Sequence, residues 1–205
     1  MRSSFLGAIV EELLRYSRES RVETREMCLL TLGVLRERQG ESVSCFQGKQ
    51  LLPFYYCFLD DSSAKIRSLA AKNILSFGAQ AELLFIEGLT KGQPLAKMEC
   101  IRCLGKLGVQ NFRAVVLGLR DADERVRRVA GDVILDNFDV REVLNEFGGA
   151  SYSMGLVCNL KEMLRGCSRP ELNIFIEQVL SGLTGGSKSR DISVEALWDE
   201  NSRLN

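Results

Sequence analysis

The sequence predicts an all-α chain, and three observations carry that prediction. Apolar residues recur with a period near 3.6 over most of the length, only three prolines interrupt it, and one pattern returns every 30 residues without a gap. With 205 residues, 45% hydrophobic and 26% charged, the chain can bury a substantial core.

The repeat is clearest over residues 51–80, 81–110 and 111–140. Leu59, Leu89 and Leu119 share one column, and Ile66, Ala96 and Val126 another. Arg67, Lys97 and Arg127 follow, then Ala70, Cys100 and Ala130, then Ile74, Leu104 and Ile134. Each unit reads as an apolar helix, a polar turn and a second, amphipathic helix. In the first copy the second helix carries apolar residues at 66, 69, 70, 74 and 77, a single stripe. Small residues in the column of Ala70 predict a close approach of paired helices. Gly78 and Gly108 are placed to close second helices in a left-handed cap, and Pro53 is placed near the start of a first helix.

The pattern extends outward with less regularity. TREMCLLTLGVL (24–35) aligns Arg25 with Arg67 and Cys28 with Ala70, behind a helix in SFLGAIVEELLRYS. About twelve extra residues, ERQGESVSCFQGK, read as an inserted loop. GLVCNLKEMLRG and ELNIFIEQVLSGL form a last pair behind the loop EFGGASYS, with Asn173 in the Arg column. The expected architecture is an α-solenoid of about five antiparallel helix pairs over residues 1–184, with degenerate outer pairs at 4–36 and 154–183. Residues 185–205 read as a Gly/Ser linker and a short amphipathic tail, in which Val194, Leu197 and Trp198 share one face.

The pattern L-x-D-x(5)-R-x-x-A, as in LDDSSAKIRSLA and LRDADERVRRVA, resembles the HEAT repeat, in particular its short form first associated with phycobilin lyases. The resemblance implies that Asp61, Arg67, Asp121 and Arg127 belong to a ladder tying neighbouring turns together. Lys91 and Lys97 stand in the middle unit at the corresponding positions, so Lys91 is expected between Asp61 and Asp121. A planar guanidinium can bridge a carboxylate and free carbonyls at once.

Composition narrows the chemistry. The chain has no histidine, which removes His-based triads, the commonest base near neutral pH, and Cys/His zinc patterns. Lys+Arg and Asp+Glu are both 27, without the basic excess of a protein held to nucleic acid by its phosphates. The seven cysteines are odd in number and irregularly spaced, which predicts reduced thiols and a cytoplasmic or nuclear protein. MRSSFLGAIVEELLR reaches Glu11 and Glu12 before any long apolar run, which predicts no secretory leader. No apolar segment approaches the roughly 18 residues of a membrane span. Cys100 and Cys103 form a C-x-x-C, but Cys100 falls in the small-residue column and is expected to fill the core. TGGSKS (184–189) lacks the spacing of a phosphate loop. No catalytic residue, metal site or cofactor is expected.

A protein partner is expected instead. Positions 68, 72 and 76 of the second helices lie opposite the buried stripe. They hold Ser68, Lys72 and Ser76, then Met98, Arg102 and Lys106, then Arg128, Asp132 and Asp136, a face shifting from basic to acidic. Glu26, Leu30 and Val34 occupy these columns in the first unit, two of them apolar where water is expected. Leu197 and Trp198 are further binding candidates in the tail. The leading expectation is a non-catalytic scaffold or adaptor in a larger assembly. An enzyme auxiliary of bilin-lyase type and a HEAT-like nucleic-acid-binding protein are the alternatives.

Overall fold

A stripe of apolar side chains on a helix leaves water only against another helix, so the predicted stripes dictate pairwise packing. The computed structural model describes residues 2–18, 21–39, 48–148, 153–165 and 168–184. The described residues form α-helices and short 3-10 turns. In order these are α1 (Arg2–Tyr16), α2 (Val22–Gln39), α3 (Gly48–Cys57), α4 (Ala64–Leu75), α5 (Ala79–Lys91), α6 (Pro94–Leu107), α7 (Phe112–Gly118), α8 (Glu124–Asn137), α9 (Val140–Phe147), α10 (Ser153–Leu164) and α11 (Pro170–Thr184). The 3-10 turns Phe58–Asp60 and Val109–Asn111 lie next to α3 and α7. The chain is all-α over these residues.

Partners follow the repeat. α1 packs on α2, α3 on α4, α5 on α6, α7 on α8 and α10 on α11. The second members also touch in succession: α2 meets α4, α4 meets α6, α6 meets α8, and α8 meets α11. One core cluster runs through all of them. The Ile66, Ala96, Val126 column, the Ala70, Cys100, Ala130 column and the Ile74, Leu104, Ile134 column are fully buried.

The small-residue column acts through close approach to glycines on the first helices. A Cβ at Gly88 would lie 2.6 Å from Cys100 Sγ, and one at Gly118 would lie 3.0 Å from Ala130 Cβ and 2.8 Å from Ile101 Cδ1. Larger side chains in either row would force the paired helices apart.

Several boundaries differ from the sequence reading. Pro53 lies inside α3, which begins at Gly48, so it removes a helical donor there. Pro94 and Pro170 are the prolines that occupy first turns, those of α6 and α11. Gly78 and Gly108 have positive φ, +60° and +120°, but their ψ values of −130° and 179° fall outside the left-handed helical well. They occupy regions open in practice only to glycine, so the chain turns sharply after α4 and α6. Helix α2 runs on to Gln39 and α3 starts at Gly48, so part of the expected insert is helical; residues 40–47 lie outside the described residues.

Helix α9 was not anticipated. Asp139 caps it, accepting from the backbone N–H groups of Arg141 at 2.8 Å and Glu142 at 3.4 Å. It packs on α11 and on the 3-10 turn before α7. Phe147 then joins a ring cluster around the buried Phe112, whose centroid lies 5.2 Å from that of Phe138, 6.2 Å from Phe147 and 6.1 Å from Phe175. This cluster stitches the last units together.

Replacing Gly118 by Val inserts methyl groups where Ile101 and Ala130 already stand. The expected loss is about 3 kcal/mol of unfolding free energy, read from urea denaturation. An unchanged midpoint would mean that the interface between α7 and α8 is looser than these distances require.

Candidate functional site

The charged groups divide into a set that joins units and a set that faces solvent. The joining set is a ladder of cations on one second helix reaching carboxylates of the next unit. Arg25 of α2 makes two bonds to Asp61, Nε to Oδ2 at 3.0 Å and Nη2 to Oδ1 at 3.1 Å. Arg67 of α4 donates from Nε to Glu99 Oε1 at 3.3 Å. Lys97 of α6 donates from Nζ to Asp121 Oδ2 at 2.6 Å. These six side chains are only 10–20% exposed.

Asp61, Arg67 and Asp121 of the ladder, and Arg127, also close turns of their own units. Asp61 Oδ1 accepts from Ser63 N at 2.8 Å, and Asp121 Oδ1 from Asp123 N at 2.9 Å. Arg67 Nη1 donates to the carbonyls of Asp61 and Ser62 at 2.8 and 3.1 Å, and Arg127 Nη1 to those of Asp121 and Ala122, both at 2.8 Å. A single guanidinium at Arg67 thus spans a carboxylate and two carbonyls.

Lys91 has no place in the ladder. It is the last residue of α5, its side chain is 75% exposed, and it pairs at 2.9 Å with Glu87 one turn earlier. The acid of that rung is Glu99, a buried residue that also accepts from Arg102 at 3.0 Å. Glu99 is the only acid in α6. The signal was therefore present in the sequence: with lysines at both positions of the middle unit, Arg67 needed a carboxylate from elsewhere in that unit.

Two buried contacts reinforce the first interface. Asn73 Nδ2 donates to the carbonyl of Leu29 at 2.9 Å, and Arg36 stacks 3.3 Å above the Phe77 ring while also bonding Ser76.

The outward face is formed by the second helices. Lys72, Lys106, Arg128 and Asp136 are exposed, and Arg102 and Asp132 are half-buried. Met98, expected on this face, is buried at 8%. Helix α6 has α4 on one side, α8 on the other and the Phe58–Asp60 turn against it, which narrows its wet strip to Arg102 and Lys106. Between α6 and α8 lies an open groove of about 200 Å³ lined by Arg102, Lys106, Val129, Asp132, Val133 and Asp136, with Asn137 at its end. Four of the candidate binding residues therefore share one groove. Two are already engaged: Arg102 with Glu99, and Asp132 with Arg169 at 2.7 Å. Lys106 and Asp136 form no ion pair among the described residues. The candidates Leu197 and Trp198 lie outside the described residues, as does the tail 185–205.

On α2, Leu30 and Val34 are 41% and 45% exposed, and Met27 on the same face is 63% exposed. Cys100 and Cys103 are both buried within α6. Burial pushes both thiols up, Cys103 to about 12 and Cys100 further. Cys57 and Cys158 are exposed. Among the described residues no cluster of His, Cys, Asp or Glu is placed to hold a metal ion, and no helix is long and apolar enough to cross a membrane.

No family model matches the chain, and no curated protein matches it. Among solved structures it is similar to a crystallised engineered protein, 13% identical, over 87% of this chain and 97% of that one, with a TM-score of 0.37.

Replacing Lys97 by Met leaves Asp121 without its cation and is expected to cost about 2 kcal/mol at neutral pH. Burial alone would raise the Asp121 carboxyl, but the bonds from Lys97 and the Asp123 N–H, with the charge of Lys97, outweigh it and hold the group below the ordinary carboxylate range. A depressed pKa stabilises the fold above the unfolded value and stops doing so as pH falls through the folded value. The difference between wild type and Lys97→Met should therefore narrow in acid, measured by urea midpoints across pH. Lys91→Glu should change stability by less than about 0.5 kcal/mol.

The thiols give a second expectation. Iodoacetamide at pH 8 should label Cys57 and Cys158 in the folded protein and leave Cys100 and Cys103 untouched until denaturant is added, read by mass spectrometry of peptides. Labelling of Cys100 under native conditions would show that α6 opens to solvent.

Proposed function

We propose that the chain is a non-catalytic protein-interaction module: a short HEAT-like solenoid of about five antiparallel helix pairs, acting as a scaffold or adaptor subunit in a larger assembly. The succession of second-helix contacts and the rungs Arg25–Asp61, Arg67–Glu99 and Lys97–Asp121 support the repeat reading. The five described cysteines in unpaired form suit a reducing compartment, cytoplasmic or nuclear.

One observation carries the functional reading. The outward strips of successive second helices form a continuous face whose sign changes across an open groove, with Lys106 on one wall and Asp136 on the other. A single-sign polyanion meets repulsion on the Asp132 and Asp136 wall. An extended protein segment with acidic groups over α6 and basic groups over α8 satisfies both walls. Val129 and Val133 in the floor offer a small apolar contact between them.

The test exchanges the walls. A Lys106→Glu, Asp136→Lys double variant keeps the net charge and inverts the pattern at two solvent-facing positions. Wild-type and variant proteins serve as baits for nuclease-treated extract of the native source, with circular dichroism confirming both folds. A stoichiometric protein partner held by the wild type and reduced at least tenfold by the exchange is the expected result. Equal capture by both baits would move binding off this groove. Capture of nucleic acid or of a bilin in place of protein would overturn the scaffold reading.

A further inference from the structure

The column of ladder cations has a fourth member. Arg127 of α8 stands where Arg25, Arg67 and Lys97 stand in the earlier units. Its Nη1 donates to the carbonyls of Asp121 and Ala122, both at 2.8 Å, and Arg67 Nη1 donates to those of Asp61 and Ser62 at 2.8 and 3.1 Å. Equivalent backbone groups therefore anchor both guanidiniums. The anchored Arg67 also donates from Nε to Glu99 at 3.3 Å, and its side chain is only 12% exposed. Arg127 has the anchor without the acid: it is exposed and forms no ion pair among the described residues.

The last unit shows why the acid is missing. Asp61 and Asp121 lie six positions before the cation column of their units, and Glu99 lies two positions after it. With Asn173 in that column of the last unit, the corresponding positions are Cys167 and Phe175, neither of them acidic. Helix α11 meets α8 by other means: a Cβ at Gly131 would stand 3.2 Å from Leu172 Cδ2, and Arg169 pairs with Asp132 at 2.7 Å. The acids around Arg127 are committed elsewhere, Asp121 to Lys97, Asp123 to Arg125 and Asp132 to Arg169. Glu124 and Glu171 are exposed and form no ion pair with it among the described residues. Arg128, also exposed, is a second guanidinium without an ion pair among these residues.

We propose that Arg127 is an open rung, which receives a carboxylate from an acidic segment of a partner protein as Arg67 receives Glu99, with Arg128 taking a neighbouring acid of the same segment. The chain itself shows which ligand this column holds: Asp61, Glu99 and Asp121, a carboxylate at each of the three closed rungs. The anchor supplies affinity that an ordinary surface arginine lacks. A guanidinium already tied at Nη1 has lost most of its side-chain freedom, so taking a carboxylate on its Nε edge costs little further ordering. The proposal rests on the protein-interaction reading and gives the chemistry of the partner at a second place. The groove between α6 and α8 begins at Val129 and runs to Asn137, whereas Arg127 lies before it on α8.

The test follows arginine Nε–H signals of the 15N-labelled full chain by NMR while sodium glutarate replaces sodium chloride at fixed ionic strength. Arg113, exposed on α7 and without an ion pair among the described residues, is the internal reference. Arg127 should shift and saturate with a Kd at least tenfold below that of Arg113, and Arg67, in a closed rung, should not move. An Arg127 response no stronger than that of Arg113 would overturn the proposal. So would inorganic phosphate saturating Arg127 at a tenfold lower concentration than glutarate, which would make the ligand a phosphate. Extract baits then separate this site from the groove. Arg127→Lys and Arg127→Gln both give up the carbonyl anchor, but only the first keeps a cation, as Lys97 does at its rung. Capture of the wild-type partner should survive Arg127→Lys and fall at least tenfold in Arg127→Gln. Capture undiminished in Arg127→Gln but lost in the Lys106→Glu, Asp136→Lys exchange would overturn the open rung and leave the interaction reading standing. No protein partner on any bait would overturn both.

Discussion

The arrangement rests on the register between successive second helices, and that register is fixed by a cation reaching across to the next unit's carboxylate. Apolar burial supplies most of the stability of a packed helical array, but it is tolerant of sliding, because one aliphatic stripe fits another at several offsets. A charged pair that is only 10–20% exposed is not tolerant. Separated, each partner would sit largely out of water with its charge uncompensated, which costs several kcal/mol. Arg25, Arg67 and Lys97 each occupy the first turn or so of a second helix and each find an acid one unit on, so the row of helices advances by the same step three times. The hydroxyl, amide and ring contacts of Arg36, Asn73 and Ser76 add a fourth constraint at the first interface, where the sequence repeat is weakest.

The ladder also shows what column matching can and cannot read. Alignment at 30 residues located the helices α3 to α8, because helix phase and burial depend on backbone position, which a column preserves. It placed Asp61, Arg67, Lys97, Asp121 and Arg127 at the turns where they are found. It misassigned Lys91, because a column gives the place of a Cα and not the reach of a long side chain. Lys91 ends its helix in solvent beside Glu87, while Glu99, two positions beyond Lys97, turns inward toward Arg67. Evolution of the pair is not needed to see this; the charge balance of the middle unit already demanded an acid. Met98 failed for a related reason. Ser68 and Arg128 in its column are exposed, but α6 also has the Phe58–Asp60 turn of the preceding unit against it. Helix α9 was missed although Asp139 and Glu142 carry the spacing of a helix start, since its eight residues are too few for a periodicity argument.

The graded outer face was legible as residue types, but its grouping into a groove was not. Arg102, Lys106, Asp132 and Asp136 lie on helices separated by a turn and a short first helix, and only the close approach of α6 to α8 makes them opposing walls. That approach depends on Gly105, where a Cβ would stand 2.4 Å from a Val133 methyl group. The same economy of small residues that packs the interior therefore determines how near the two charged strips come, and so what thickness of segment could lie between them.

An array built this way is directional, because every rung runs from a cation to the acid of the following unit. Among the described residues α2, α4 and α6 each give a cation forward, and the interface beyond α8 is joined by different means. At the last interface Arg169 reaches back to Asp132 and the Phe112 ring cluster takes over the joining role. At the first interface α2 keeps an apolar strip on the side where later helices carry Lys, Arg and Asp. A solvated end would be expected to be polar, since exposed Met, Leu and Val in sequence register gain nothing in water. Along that side the exposed residues run from apolar on α2 through Lys72 and Lys106 to Asp136, so the row changes character in one direction.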